Sequence, residues 1–280
     1  MQTTGMIALL SLSVLLTGVQ TPDRTGTPKT SRQDQGRRSV TLPGADRQRA
    51  LAGLPDIRTF QTKPTGRFPV DLDVVRTGHP YKGRRAQKPH TGSHIYFQLP
   101  ERTLSAIRPQ DFPAIYAVAD GVISRIDYSF RLREMYEPAL KRRVANRRYG
   151  IGLLFATLDG KPVEMHYSIE PFIDPGNEKF YERFLRIRIG QRVKRGDVIA
   201  HMYLPDNEQL AGKSHIHFNL TGGPKHRFMA PVIFNRSIIQ RFHLTWGRFG
   251  FDGDQPIPAC LGYRLEPAEN PFGSGAQLAL

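Results

Sequence analysis

Cysteine is almost absent: Cys260 is the only one in 280 residues. That excludes an intramolecular disulfide framework and any zinc site of the Cys-x-x-Cys type, so a metal would have to be held by histidines and carboxylates. Long apolar runs are also scarce. The longest, from Met6 to Val19, has fourteen residues, whereas a membrane-spanning helix needs roughly 20. No stable membrane span is therefore expected, and residues 1–21 read as a possible signal peptide of a secreted or periplasmic protein, although the first basic residue is Arg24. No cysteine follows Leu16-Thr17-Gly18 to carry a lipid. Acidic residues are in deficit: 25 Asp and Glu stand against 40 Lys and Arg, a formal charge of +15. Such a balance suits a polyanionic setting such as a bacterial wall, an acidic lipid surface or nucleic acid.

The chain has enough apolar residues, 39%, to bury a core, and its length favours one main domain. Residues 22–65 are rich in Thr, Gln, Arg, Asp, Gly and Pro, show no sustained hydrophobic period, and read as a disordered basic linker. Residues 66–223 are read as the folded domain. Residues 224–280 are a C-terminal extension, with one ordered piece expected in PVIFNRSIIQRFHLTWGRF before a Pro/Gly-rich finish.

Within the domain, short runs rich in Ile, Val, Phe and Tyr are separated by Gly, Asp and Pro, the pattern of an all-β fold. Strands are expected at His94–Leu99, Ile115–Val118, Val122–Tyr128, Ile151–Leu158, Val163–Ile169, Val198–Tyr203 and His215–Leu220. They suggest an antiparallel sandwich or a partly closed barrel. Asp120-Gly121 and Asp159-Gly160 lie where hairpin turns need residues that tolerate positive φ. The segment from about 130 to 148, with Arg131, Arg133, Lys141, Arg142, Arg143, Arg147 and Arg148, reads as a basic helical or loop-like insertion. Its charge could contact an anionic polymer. It carries no recognition-helix, zinc-finger or aromatic RNP-like pattern, so nucleic acid is not indicated.

Side chains alternate between the two faces of a strand, and the histidines repeatedly fall on the polar side. Ile216, Phe218 and Leu220 share one face, and His215, His217 and Asn219 the other. His166 lies opposite Val163, Met165, Tyr167 and Ile169, beside Glu164 and Ser168. His94 lies opposite Ile95, Phe97 and Leu99, with His90 just before it. Five of the nine histidines thus leave the core together. Zinc takes neutral imidazole nitrogens, and a catalytic site uses three protein ligands and leaves a position for water. Further histidines can then act on that water or on a developing oxyanion. His79, His201, His226 and His243 have no partner motif and read as ordinary. Cys260 reads as a small apolar residue or a free thiol, and Asp252 and Asp254 as a turn rather than a calcium loop.

His90-Thr-Gly-Ser-His94, Glu164-Met-His166, Gly190-Gln-Arg-Val193-Lys-Arg-Gly196-Asp-Val-Ile199 and His215-Ile-His217 follow one another in the order and approximate spacing of the lysostaphin/LytM-like zinc endopeptidases, and the chain resembles that family from about His90 to Leu220. The resemblance implies a LytM-like β fold, one Zn2+ per chain, and hydrolysis of peptide bonds in cell-wall peptidoglycan. It implies His90, His94 and His217 as metal ligands and His166 and His215 as the catalytic pair. His94 stands where the family has Asp, and Glu164 where it has Tyr. Three imidazoles leave the metal more positively charged than two imidazoles and a carboxylate, a change that bears on activity more than on metal binding. Glu164 is read as an outer partner that orients an imidazole, or as a carboxylate paired with an arginine. Two other classes stay in view: an inactive LytM-like domain that binds or regulates at the wall, and a swinging-arm carrier, suggested by VKRGDVIA but lacking a modifiable Lys at a hairpin tip.

Overall fold

A computed structural model describes residues 38–81, 92–99, 108–171, 179–223, 227–245 and 270–272, which all belong to one compact unit. The strands in chain order are β1 (Arg38–Thr41), β2 (Val75–Tyr81), β3 (Gly92–Phe97), β4 (Ala114–Tyr116), β5 (Gly121–Glu137), β6 (Arg142–Leu158), β7 (Lys161–Glu170), β8 (Arg192–Val193), β9 (Val198–His201), β10 (His215–Gly222) and β11 (Arg227–Met229). Four short helices accompany them: α1 (Gly44–Leu51), α2 (Thr59–Thr62), α3 (Glu208–Ala211) and α4 (Arg236–His243). No helix among the described residues is long and apolar enough to cross a membrane.

The fold is all-β and antiparallel. Nine strands form one sheet in the order β1-β5-β6-β7-β10-β3-β2, with β8 beside β5 and β11 beside β10, and β4 pairs with β9 in a second, two-stranded sheet. The path has two free ends rather than closing into a barrel. All seven expected strands are present. At Asp159 and Gly160 the φ angles are 51° and 71°, and Leu158 pairs with Lys161 across them, the two-residue turn whose twist suits a hairpin. Asp120-Gly121 is different. The strand before it, β4, pairs with β9 in the other sheet, so this turn passes the chain between sheets, and Asp120 accepts from the Arg195 amide at 2.8 Å.

One face of the large sheet makes the core. Met165, Tyr167 and Ile169 of β7, Ile216, Phe218 and Leu220 of β10, and Ile95 and Phe97 of β3 are fully buried. Phe68 packs edge-on against Phe218 at 5.4 Å and lies 4.8 Å from Phe242 of α4. Helix α4 is placed by its sequence: Asn235 caps it, accepting from the Ile238 amide at 3.0 Å, and Ile238, Ile239 and Phe242 are buried. The ordered piece expected in the C-terminal extension thus includes this helix.

Two readings of the sequence are corrected. Residues 38–63 of the supposed linker are structured: β1 pairs with β5, Leu42, Ala50 and Ile57 are buried, and the Ile57 amide donates to the Thr157 carbonyl at 2.8 Å. Their apolar residues are too widely spaced to make a period, and long-range pairing holds them instead. The supposed helical or loop-like insertion is the outer half of a β5–β6 hairpin, paired from Phe130↔Arg148 to Glu137↔Arg142. A ribbon this rich in charge lacks the apolar alternation that marks a strand. The possible signal peptide, His90, His226, Asp252, Asp254 and Cys260 lie outside the described residues.

Candidate functional site

Directly paired residues of an antiparallel sheet share a face, and the register lines up one row across the whole sheet on the side away from the core. It runs Ser39, Asp127, Gly150, Ser168, His217, His94, with His79 as the next register position on β2. The row on one side carries Gly152, His166, Asn219 and Gly92. The row on the other side carries Glu170, His215 and Tyr96. Strand alternation thus brings His94, His166, His215 and His217 to one polar face.

His94 is the hub of the described cluster. Its ring centroid lies 5.0 Å from that of His217, directly opposite on β10, and 4.8 Å from that of His215 on the diagonal. Tyr96, two residues along β3, packs 5.0 Å from His215. Burial raises the Tyr96 hydroxyl pKa, the Glu170 charge adds to the rise and Arg76 opposes it, so at neutral pH the hydroxyl keeps its proton. His215 is held through one ring nitrogen. Nδ1 lies 2.8 Å from the Lys213 carbonyl, which can only accept, so Nδ1 carries the proton. Nε2 lies 3.6 Å from Glu170 Oε2.

His166 occupies a second locus on the same face. Its Nε2 is 3.8 Å from Asp127 Oδ2. Burial is the chief cause of its lowered pKa, with Arg148 and Arg125 contributing in the same direction and Asp127 opposing. The imidazole is therefore neutral at pH 7. Asp127 itself is fully buried. Burial raises its pKa, but the His166 ring 3.8 Å away, hydrogen bonds from Arg125 and Ser39 and the Arg125 charge outweigh it and hold the carboxyl well below the ordinary aspartate range. Between the two loci stand Ser168 and Asn219, both buried, whose Oγ and Oδ1 make no hydrogen bond among the described residues.

Glu164 shares the face of His166, but its ion-pair partner is Arg47 of α1 at 2.6 Å, in line with the arginine-paired alternative. Among the described residues, no three His, Cys, Asp or Glu side chains form a group able to hold a metal ion. Of the three ligands that the resemblance implies, His94 and His217 are adjacent, and His90 lies outside the described residues. His201 bonds the Phe112 carbonyl at 3.0 Å, a packing role, as expected for a histidine without a partner motif. Tyr96 and Glu170 were not singled out from the sequence, although the alternation that finds His94 and His166 reaches them when carried on by two and four residues.

No family model matches the chain, and no curated protein matches it. Among solved structures it is similar to lysostaphin in its solution NMR structure, with 13% identity and a TM-score of 0.30, over 69% of this chain and 59% of that one.

Proposed function

We propose that this chain is a zinc-dependent endopeptidase exported to the cell envelope, where it hydrolyses peptide bonds of bacterial peptidoglycan. The observation that carries the reading is the placement of His94 opposite His217, with His215 and His166 on the same face. The donor set fits a zinc site as far as it is described. Two imidazoles bound to one ion at about 2.0–2.1 Å each have ring centres roughly 5 Å apart, close to the separation of His94 and His217. His90, four residues before His94 in the family-like motif, would complete three ligands. Zinc bound there supplies a Lewis acid for the scissile carbonyl and lowers the pKa of water.

The chain's own residues suit the rest of the chemistry. Neutral His166 is able to take a proton. His215, with its Nδ1 proton engaged by a carbonyl, presents Nε2 to the same face, 3.6 Å from Glu170. Ser168 and Asn219, with hydrogen-bonding capacity to spare, match the alternating donors and acceptors of a peptide backbone. The surplus of positive charge suits an anionic wall polymer.

A second reading is a groove that binds or regulates at the wall without cutting, and His94 in place of the family's Asp favours it. Metal content by mass spectrometry, on the full chain and on the His94→Ala and His217→Ala variants, tests the first reading. About one zinc per chain, lost in both variants, together with hydrolysis of purified peptidoglycan, is the expected result. No metal after zinc is supplied overturns it, and zinc without hydrolysis favours the second reading.

A further inference from the structure

His166 and Asp127 lie on strands that do not touch. β6 runs between them, with Gly150 directly opposite Asp127 and Gly152 directly opposite His166. The two side chains meet above Gly150. A β-carbon there would sit 2.7 Å from Asp127 Oδ2, closer than packing allows, and 3.0 Å from His166 Nε2, tighter than most real contacts. The missing side chain of Gly150 is the opening across which the carboxylate stands 3.8 Å from the imidazole.

Asp127 is built to hold one orientation. Ser39 Oγ of the edge strand β1 donates to Oδ1 at 2.6 Å. Arg125 grips both oxygens, Nε to Oδ1 at 2.9 Å and a terminal nitrogen to Oδ2 at 2.8 Å. A fully buried carboxylate fixed at both oxygens is expensive to place unless its charge is used. One use for it lies nearby: the His166 ring nitrogen Nε2, on the far side of a glycine.

We propose that Asp127 is the positioning residue of His166, its carboxylate facing Nε2 at 3.8 Å through the opening above Gly150, so that its charge favours the proton there and leaves Nδ1 as the nitrogen free to take a proton. Which nitrogen of an imidazole is basic depends on the bond that the other makes. Ser39 and Arg125 keep the carboxylate ionised and immobile, so the tautomer is fixed before any substrate arrives. That His166 is the proton acceptor in hydrolysis rests on the function proposed above; the tautomer and its cause do not.

Nitrogen-15 NMR of the imidazoles in full-length protein labelled at histidine tests this without metal or substrate. Wild-type His166 is expected as the Nε2-protonated tautomer. In Asp127→Asn, and separately in Gly150→Ala, its two ring-nitrogen shifts are expected to move toward each other as the tautomers mix, while the signals of His94, His215 and His217 stay in place. If wild-type His166 carries its proton on Nδ1, or if its shifts ignore Asp127→Asn in a folded variant, the proposal is wrong. The wild-type spectrum decides even where a variant fails to fold. In an active enzyme, Asp127→Asn is expected to lower kcat about 10- to 100-fold with KM little changed. Should wild type lack hydrolysis yet show the His166 signature, the endopeptidase reading fails and the positioning role stands.

Discussion

Gly92 faces Asn219 across the β3–β10 pair, and a β-carbon on Gly92 would lie 1.7 Å from the carbonyl oxygen of Phe218. The two strands that carry His94 and His217 approach so closely because this position has no side chain. Gly92→Ala is expected to destabilise the fold by about 3 kcal/mol or more, because backbone and not a flexible side chain must yield. Urea unfolding measures it.

His94 and His217 are predicted to act as one unit toward zinc. Removing either imidazole takes away a direct ligand, so the affinity loss should exceed the roughly 10- to 100-fold typical of outer partners. His201→Ala, a histidine of β9 used in packing, should leave zinc affinity unchanged. Competition against a chromophoric chelator compares the three.

Acid should weaken the fold in two separate windows. His166 has a lowered pKa in the folded protein, so below about 6.5 the unfolded chain takes up a proton that the folded one refuses. Its contribution is full above that pH and is lost as pH falls through the folded value. Asp127 behaves with the same sign in a lower window: its contribution is present above about 3.9 and is lost as pH falls toward its depressed folded value. Urea midpoints against pH should lose the upper slope in His166→Gln and the lower slope in Asp127→Asn.

At the tip of the long hairpin, buried Glu137 meets Lys213 Nζ at 2.5 Å, two residues before His215. This contact ties the outer ribbon to the strand that carries two of the four histidines. With Lys213 partly exposed, Glu137→Gln should cost about 1–2 kcal/mol. Amide exchange in residues 131–137 and 142–147 should quicken with little change in β7.

Much of the polar face was legible because strand alternation is a local code. The two-residue repeat that sets Ile216 and Phe218 on one face and His215 and His217 on the other needs no knowledge of the rest of the fold. Asp127 shows where the code stops. The register of β5 slips between Ile123 and Arg125 and again after Asp127, and each irregularity flips the faces, so parity counted along Val122–Tyr128 does not place the carboxylate beside His166. Nothing local announces Ser39 either. It reaches Asp127 by pairing over a separation of 88 residues, and the tract around it is polar enough to read as a linker. The ribbon from 130 to 148 escaped for a related reason: both its faces carry charge.

The pairing of β1 with β5 also sets where the autonomous folding unit begins. A chain trimmed to residue 66 would lose the edge strand, leave the backbone groups of Arg125 to Ser129 unpaired on that side, and release both Ser39 from Asp127 and Arg47 from Glu164. An unprotected edge of this kind invites a neighbouring molecule to add itself as the missing strand. Proteolytic trimming between residues 41 and 66 is therefore expected to push the protein toward self-association instead of freeing an intact domain.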